Sequence, residues 1–184
     1  MTTIKRIFNL HTVAAGAAIG MIIAGSLAIV GGLYAKDVVH DQLVPQQIFF
    51  PQKGEELPAN LNQYAGQQVD TATEAEAYAN DYIGLHLEGI ADGQSYAEVS
   101  AASRANPDDA QLAEQRQSLF MGETLRGTLL SAWGWGTVGT IATIAGFVLV
   151  GIGLILLIVP VMAAVSATRH RQEPAQGAMP AATA

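Results

Sequence analysis

Two long stretches without a charged residue limit what this chain can fold into. Thr12 to Ala35 is a run of 24 uncharged residues, roughly 36 Å as a helix against a hydrocarbon core of about 30 Å, so one tilted crossing is expected. Gly127 to Thr168 is a run of 42, roughly 63 Å, which exceeds one crossing and falls short of two crossings plus a turn. One span is expected there, at residues 137–165, with an interfacial helical segment at 127–136. Indole rings settle at headgroup level, so Trp133 and Trp135 mark its start, and its end is expected near Pro160 or a few residues beyond. The expected fold is mainly α: two transmembrane helices, at 12–35 and 137–165, with a small, mostly helical domain at 36–126 between them. Residues 1–11 form an N-terminal segment, and residues 166–184 a tail rich in Ala, Pro and Gly that reads as disordered.

A secretory signal peptide is the rival reading of the N-terminus, because Lys5 and Arg6 precede an apolar run and Ala35 resembles a cleavage residue. The run is twice the length of a signal core, and Leu33 is a poor residue near a cleavage point, so an uncleaved anchor is expected. The two flanks, 1–11 and 169–184, carry Lys5, Arg6, Arg169 and Arg171 in 27 positions, whereas 36–126 carries five Lys or Arg in 91. That density places both termini in the cytoplasm and the intervening domain outside, in a multi-pass protein of the cell membrane. The 36–126 segment holds 15 of the 16 acidic residues and is formally −10. Such a charge repels nucleic acid and anionic lipid surfaces, and favours cations or basic protein surfaces. The chain has no cysteine, hence neither disulfide nor thiol chemistry.

Local signals divide the acidic segment. Asp37, His40 and Asp41 continue the first helix, and Pro45, Pro51 and Pro58 then impose mostly loop, with a short strand at Gln47 to Phe50 as an option. Ile48, Phe49 and Phe50 need burial in the domain or against a partner. Thr71 with Glu74 fits a capping box that starts a helix, and Gly93 stops it. On that helix Tyr78, Ala79, Tyr82, Ile83, Leu85 and Ile90 fall on one face. Glu74, Asp81 and Glu88 repeat every seven residues on another, which reads as a solvated acidic face or a surface for a cation or basic partner. Ser95 with Glu98 offers a second box for a helix to about Ser103. Asn106, Pro107, Asp108 and Asp109 read as N-cap, N1 proline and two dipole-matched acids opening a helix that runs on into the membrane.

Few of these residues suggest chemistry. Gly134-Trp135-Gly136-Thr137-Val138-Gly139 matches the dinucleotide fingerprint but lacks the acidic residue that binds ribose. Its glycines read as helix packing: Ala132, Gly139, Gly146 and Gly153 recur every seven residues, a narrow seam for a close helix partner. In the first span Gly16, Gly20, Ala24, Ala28 and Gly32 recur every four, a spacing that favours a right-handed crossing. Whether the seams meet each other or another chain stays open. His86 reads as a core histidine bonded to a neighbour. Asp37, His40 and Asp41 share a helical face, the only hint of a metal site. Glu123 and Arg126 read as an i, i+3 pair or as a contact with the proline-rich segment or another protein.

Through Tyr64-Ala65-Gly66-Gln67-Gln68-Val69, the Tyr78 to Leu87 helix and Gly122 to Leu130, the chain resembles uncharacterised two-span membrane proteins of actinobacteria. Some of these carry a label as aromatic ring-opening dioxygenases. The resemblance implies topology and no activity, since no facial triad of two His and a carboxylate can be placed here. The functional expectation is a non-catalytic membrane protein, without cofactor or metal, that meets the lipid bilayer through its spans. Its outer domain would bind or position a membrane or envelope protein partner, with Ile48, Phe49, Phe50, Glu123 and Arg126 as candidate interaction residues. The alternative is a homo-oligomer or pore packed through Gly16, Gly20, Ala24, Gly139, Gly146 and Gly153. A metal-dependent envelope enzyme comes third, and no nucleic-acid partner is expected.

Overall fold

A computed structural model of the chain describes residues 2–54 and 56–172. Side chains are described from Thr12 to Ile158, Glu55 excepted, and at Val161, Met162 and Val165. Residues 166–172 of the tail proposed as disordered instead continue α5 as helix, and the remainder, from Glu173 on, lies outside the described residues. The protein is mainly helical: α1 (Thr2–Leu43), short 3-10 turns at Val44–Gln46 and Ala59–Tyr64, α2 (Ala72–Ala77), a π turn (Tyr78–Ile83), α3 (Gly84–Ile90), α4 (Tyr96–Ala105) and α5 (Ala110–Gln172). Two helical stretches are long and apolar enough to cross a membrane: Thr12–Gln46, which is α1 from Thr12 on with the 3-10 turn after it, and Ala110–Ile158 within α5. Two compact units divide the chain. One comprises residues up to Val30 and from Ala142 on, the other Gly31–Ile141.

The first unit is an antiparallel helix pair whose backbones nearly touch. A Cβ added to Gly25 would stand 2.6 Å from the carbonyl oxygen of Gly146, and one added to Gly146 would stand 2.6 Å from that of Gly25. A Cβ on Gly153 would come within 2.8 Å of the Ala18 carbonyl. The seven-residue seam of α5 therefore meets a seven-residue seam of α1, Ala18 and Gly25. Three members of the four-residue seam of α1 take no part: Gly16 and Gly20 face open space, and Ala24 is exposed. Two antiparallel seams stay in contact along their length only if both repeat with the same period, and a four-residue repeat drifts off a heptad. Ser26 satisfies its hydroxyl by donating to Ile22 O at 2.8 Å. Large apolar side chains, among them Val13, Ile23, Leu27, Phe147 and Ile155, point outward.

In the second unit the same pairing holds at Gly139, where an added Cβ would be 2.7 Å from the Gly32 carbonyl. Val39 is buried in the core, with Ala132 packed against it. Around these, the loop after α1 folds back onto α2 and α3. Phe50 is 2 % exposed, stacked on Tyr64 and edge-on to Tyr78, each at 5.1 Å between ring centres. The anticipated strand at Gln47 to Phe50 is only an isolated bridge between Phe49 and Gln68. Gln47 in the left-handed region (φ +52°) and Pro51 leave no room to extend it. Phe50 N still donates to Gln67 O at 2.9 Å, and Val69 N to Ile48 O at 2.8 Å.

Both capping boxes form: Thr71 with Glu74, and Ser95 with Glu98. Near Gly93 the chain turns as expected, with Asp92 (φ +51°) and Gly93 (φ +78°) left-handed and Gly93 N donating to Glu88 O at 2.8 Å. The buried face is different, however. Ala75, Ala79, Ile83, Leu87 and Ala91 are buried, while Leu85 and Ile90 are exposed. Four-residue steps drift by about 40° in an α-helix, and the wider π turn at Tyr78–Ile83 takes up that drift. The α5 cap also shifts. Asp109 Oδ1 accepts from the N–H groups of Gln111 and Leu112, at 3.0 and 3.1 Å. Asn106 instead closes α4, its side chain donating to Ala102 O at 3.1 Å.

Candidate functional site

Within the second unit, α1 and α5 touch along small residues, and their bulkier neighbours leave space beside the seam. On α1, Tyr34, Val38 and Gln42 fall on one face at steps of four; on α5, Thr128, Ser131 and Trp135 do so at steps of three and four. These faces line a groove of about 640 Å³, with Ala35, Val39 and Ala132 as its floor. A second cavity of about 240 Å³ shares Gln42, Thr128 and Ala132 with it and reaches Ile48 and Leu125. No Asp, Glu, Lys, Arg or His lines either space. Tyr34 and Trp135 are 70 % and 65 % exposed. The Gln42 amide and the Ser131 hydroxyl have no partner among the described residues, and Thr128 donates to Leu125 O at 2.7 Å.

Lys36, Asp37 and His40 line a different cavity, about 380 Å³, together with Asp70, Thr71, Thr73 and Thr140. His40 is turned to the Asp70 carbonyl, to which its Nδ1–H donates at 3.2 Å. Among the described residues no three His, Asp or Glu side chains converge to hold a metal, so Asp37, His40 and Asp41 are not assembled as ligands. Burial, then the neighbouring Glu74, raises the Asp70 carboxyl above its ordinary range, with His40 opposing. Burial also pushes Glu74 upward. The Thr71 hydroxyl and the N–H groups of Asp70 and Thr71 outweigh it, and hold Glu74 below its usual value.

Glu98 is likewise held low, by hydrogen bonds from the Ser95 backbone and hydroxyl. These shifts set the acid response. A lowered carboxylate contributes stability that is present above its unfolded value and is lost as pH falls through the folded one. The raised Asp70 contributes stability below its unfolded value that is lost as pH rises. Stability of the helical domain is therefore expected to fall on acidification below about pH 5. In urea titrations of the micelle-bound protein, Glu98→Gln should flatten that slope and Asp70→Asn should steepen it. Identical slopes in all three proteins would contradict the assignment.

The other anticipated residues scatter. Phe50 lies in the core, Ile48 is half-buried, and Phe49 is 52 % exposed. Arg126 pairs with Glu123 at 3.5 Å and donates from Nη2 to Asn80 Oδ1 at 3.2 Å, so its contact is the π turn and not the proline-rich segment. Its Nε is buried without a partner. His86 is exposed, not a core residue. Its Nδ1–H donates to Tyr82 O at 2.8 Å, and its Nε2 lies 3.5 Å from the Glu56 carboxylate. It ends a ladder of rings: Tyr64, Phe50, Tyr78, Tyr82, His86. The groove was missed because its polar residues are too few to stand out. The signal was the seven-residue repeat Ala18, Gly25, Gly32, Val39, which mirrors Ala132, Gly139, Gly146, Gly153 in reverse. The chain matches no protein-family model, and no curated protein and no solved structure is similar to it.

Proposed function

We propose that this is a non-catalytic integral membrane protein with both termini cytoplasmic. Its acidic 36–126 domain lies on the extracytoplasmic side and binds or positions another membrane or envelope component. The observation that supports this reading is large apolar side chains left in solvent on that domain. Phe120 and Met121 on α5 and Leu85 on α3 are more than half exposed, as is Phe49 on the loop. Exposed apolar surface of this kind marks contact sites more often than it marks monomers without partners. The resemblance to actinobacterial two-span proteins belongs to the same proposal and supports topology alone.

A cysteine placed at Gln117, one turn from Met121 in this cysteine-free chain, tests location and partnership together. Intact cells are treated with a membrane-impermeant maleimide that carries a photoreactive arm. Labelling followed by light is expected to join the chain to a second, different polypeptide. No labelling would place the domain on the other side, and labelling without a cross-link would remove the partner. A homo-oligomer is the second reading, favoured by Gly16 and Gly20, whose added Cβ atoms would meet open space. Because Gly139, Gly146 and Gly153 are already used within the chain, such an assembly would pack through α1.

A further inference from the structure

We infer that the cavity between the end of α1, the start of α2 and α5 binds the headgroup of one zwitterionic lipid that carries a phosphate and a primary ammonium, the chemistry of phosphatidylethanolamine. This rests on the reading that the two helices span the bilayer. Depth in the membrane comes first. Lys36 directly follows the uncharged run that ends at Ala35, and Gly136 and Thr140 flank the expected start of the second span at 137. A Cβ added to Gly136 would collide with Ala72, so the start of α2 is seated on α5 at that same level. His40 stands one turn beyond Lys36, roughly 6 Å along α1, and the headgroup layer is about 5–8 Å deep on each side. The cavity therefore lies within the headgroup layer, and acyl chains would stay below it, against exposed Leu33 one turn back on α1.

The lining charges match the two ends of such a headgroup. Lys36 is the lining cation nearest the uncharged runs, and a lysine there extends its ammonium to phosphate level. Thr73 adds a hydroxyl with no partner among the described residues. The carboxylates are Asp37, and Asp70 at the outer end beside His40, whose Nδ1–H donates to the Asp70 carbonyl at 3.2 Å. Neither Lys36 nor Asp37 takes part in an ion pair or hydrogen bond among the described residues. In the lipid the phosphate adjoins the glycerol and the ammonium lies beyond it, the same order as Lys36 and Asp70. Burial and the neighbouring Glu74 disfavour a charged Asp70 carboxyl, and an ammonium beside it would favour one. An anionic headgroup without the ammonium would set its charge against both carboxylates, in a segment of formal charge −10. A trimethylated ammonium has no N–H to donate, so the carboxylates select the primary amine. The volume, about 380 Å³, lies within the range of roughly 300–1,000 Å³ usual for ligand pockets.

The test uses the full chain in vesicles of phosphatidylcholine, phosphatidylethanolamine and phosphatidylglycerol in equal parts, released into mild detergent at neutral pH and weighed by native mass spectrometry. One retained phosphatidylethanolamine per chain is expected. Lys36→Gln, and Asp37→Asn combined with Asp70→Asn, should each lower its retention about tenfold, the worth of a charge-assisted hydrogen bond. Lys36→Arg should keep it, with helical content unchanged in all three. Preference for phosphatidylglycerol or phosphatidylcholine, indifference to the charge-removing variants, or no lipid retained would overturn the inference. Soluble phosphoethanolamine bound as tightly as the lipid would also overturn it, because the ligand would then be a free solute. Alkaline carbonate extraction separates the two levels of failure. A chain that stays in the pellet and retains no phosphatidylethanolamine defeats the headgroup site alone, while a chain washed into the supernatant defeats the membrane reading beneath it.

Discussion

Replacing Gly146 by leucine is expected to force α1 and α5 apart in the first unit and to destabilise that pair by about 3 kcal/mol or more. The reason is the opposing atom. A Cβ at Gly146 would meet the backbone oxygen of Gly25 at 2.6 Å, as well as the Ile29 side chain, and a backbone cannot rotate aside as a side chain can. Gly20→Leu is the matched control. Its Cβ meets open space, and glycine is a poor helix residue, so the change should be neutral or stabilising by up to about 1 kcal/mol. Unfolding by SDS in mixed micelles, followed by circular dichroism, measures both. Equal losses would mean that the seam does not carry the pairing. The Gly20→Leu chain also decides the oligomer reading, because an assembly packed through α1 would lose mass in detergent and a monomer would not.

Phe50→Ala and Phe49→Ala should give opposite results one residue apart. Phe50 is enclosed by Tyr64 and Tyr78, and truncating a fully buried phenylalanine costs about 3–5 kcal/mol. The loop from Gln47 to Val69 would lose its anchor on the π turn. Phe49 points to solvent, and its truncation should change stability by less than about 0.5 kcal/mol. Thermal unfolding and proteolysis within residues 51–66 report the difference. If the two variants behave alike, the packing of this loop is not as described.

What the sequence revealed was whatever depends on neighbours a few residues away. Two capping boxes need only the spacing of Thr71 with Glu74 and Ser95 with Glu98, and the stop at Gly93 needs only a residue tolerant of positive φ. The apolar runs follow from length. What escaped depends on distant parts. A π turn cannot be read locally, because it depends on what the helix packs against; here it lies beside distant Arg126, whose Nη2 donates to Asn80 Oδ1 at 3.2 Å. That one inserted position moved Leu85 outward and Leu87 inward. Asn106 and Asp109 both suit an N-cap, and the choice fell to Asp109 because Asn106 was needed to close α4. The groove combines residues nearly a hundred positions apart, and no single segment announces it.

The reversed heptads have a consequence for how the chain can change length. Within the first unit Ala18 faces Gly153 and Gly25 faces Gly146; within the second, Gly32 faces Gly139. Deleting one residue inside either helix would turn every later position by about 100° and replace small residues by bulky ones at the contact. Adding or removing seven residues in both helices together would restore small against small. Insertions and deletions in these helices should therefore be tolerated in paired steps of two turns, while the 44–71 loop, bound by no such repeat, is free to vary by single residues wherever Phe50, Leu61 and Val69 keep their places.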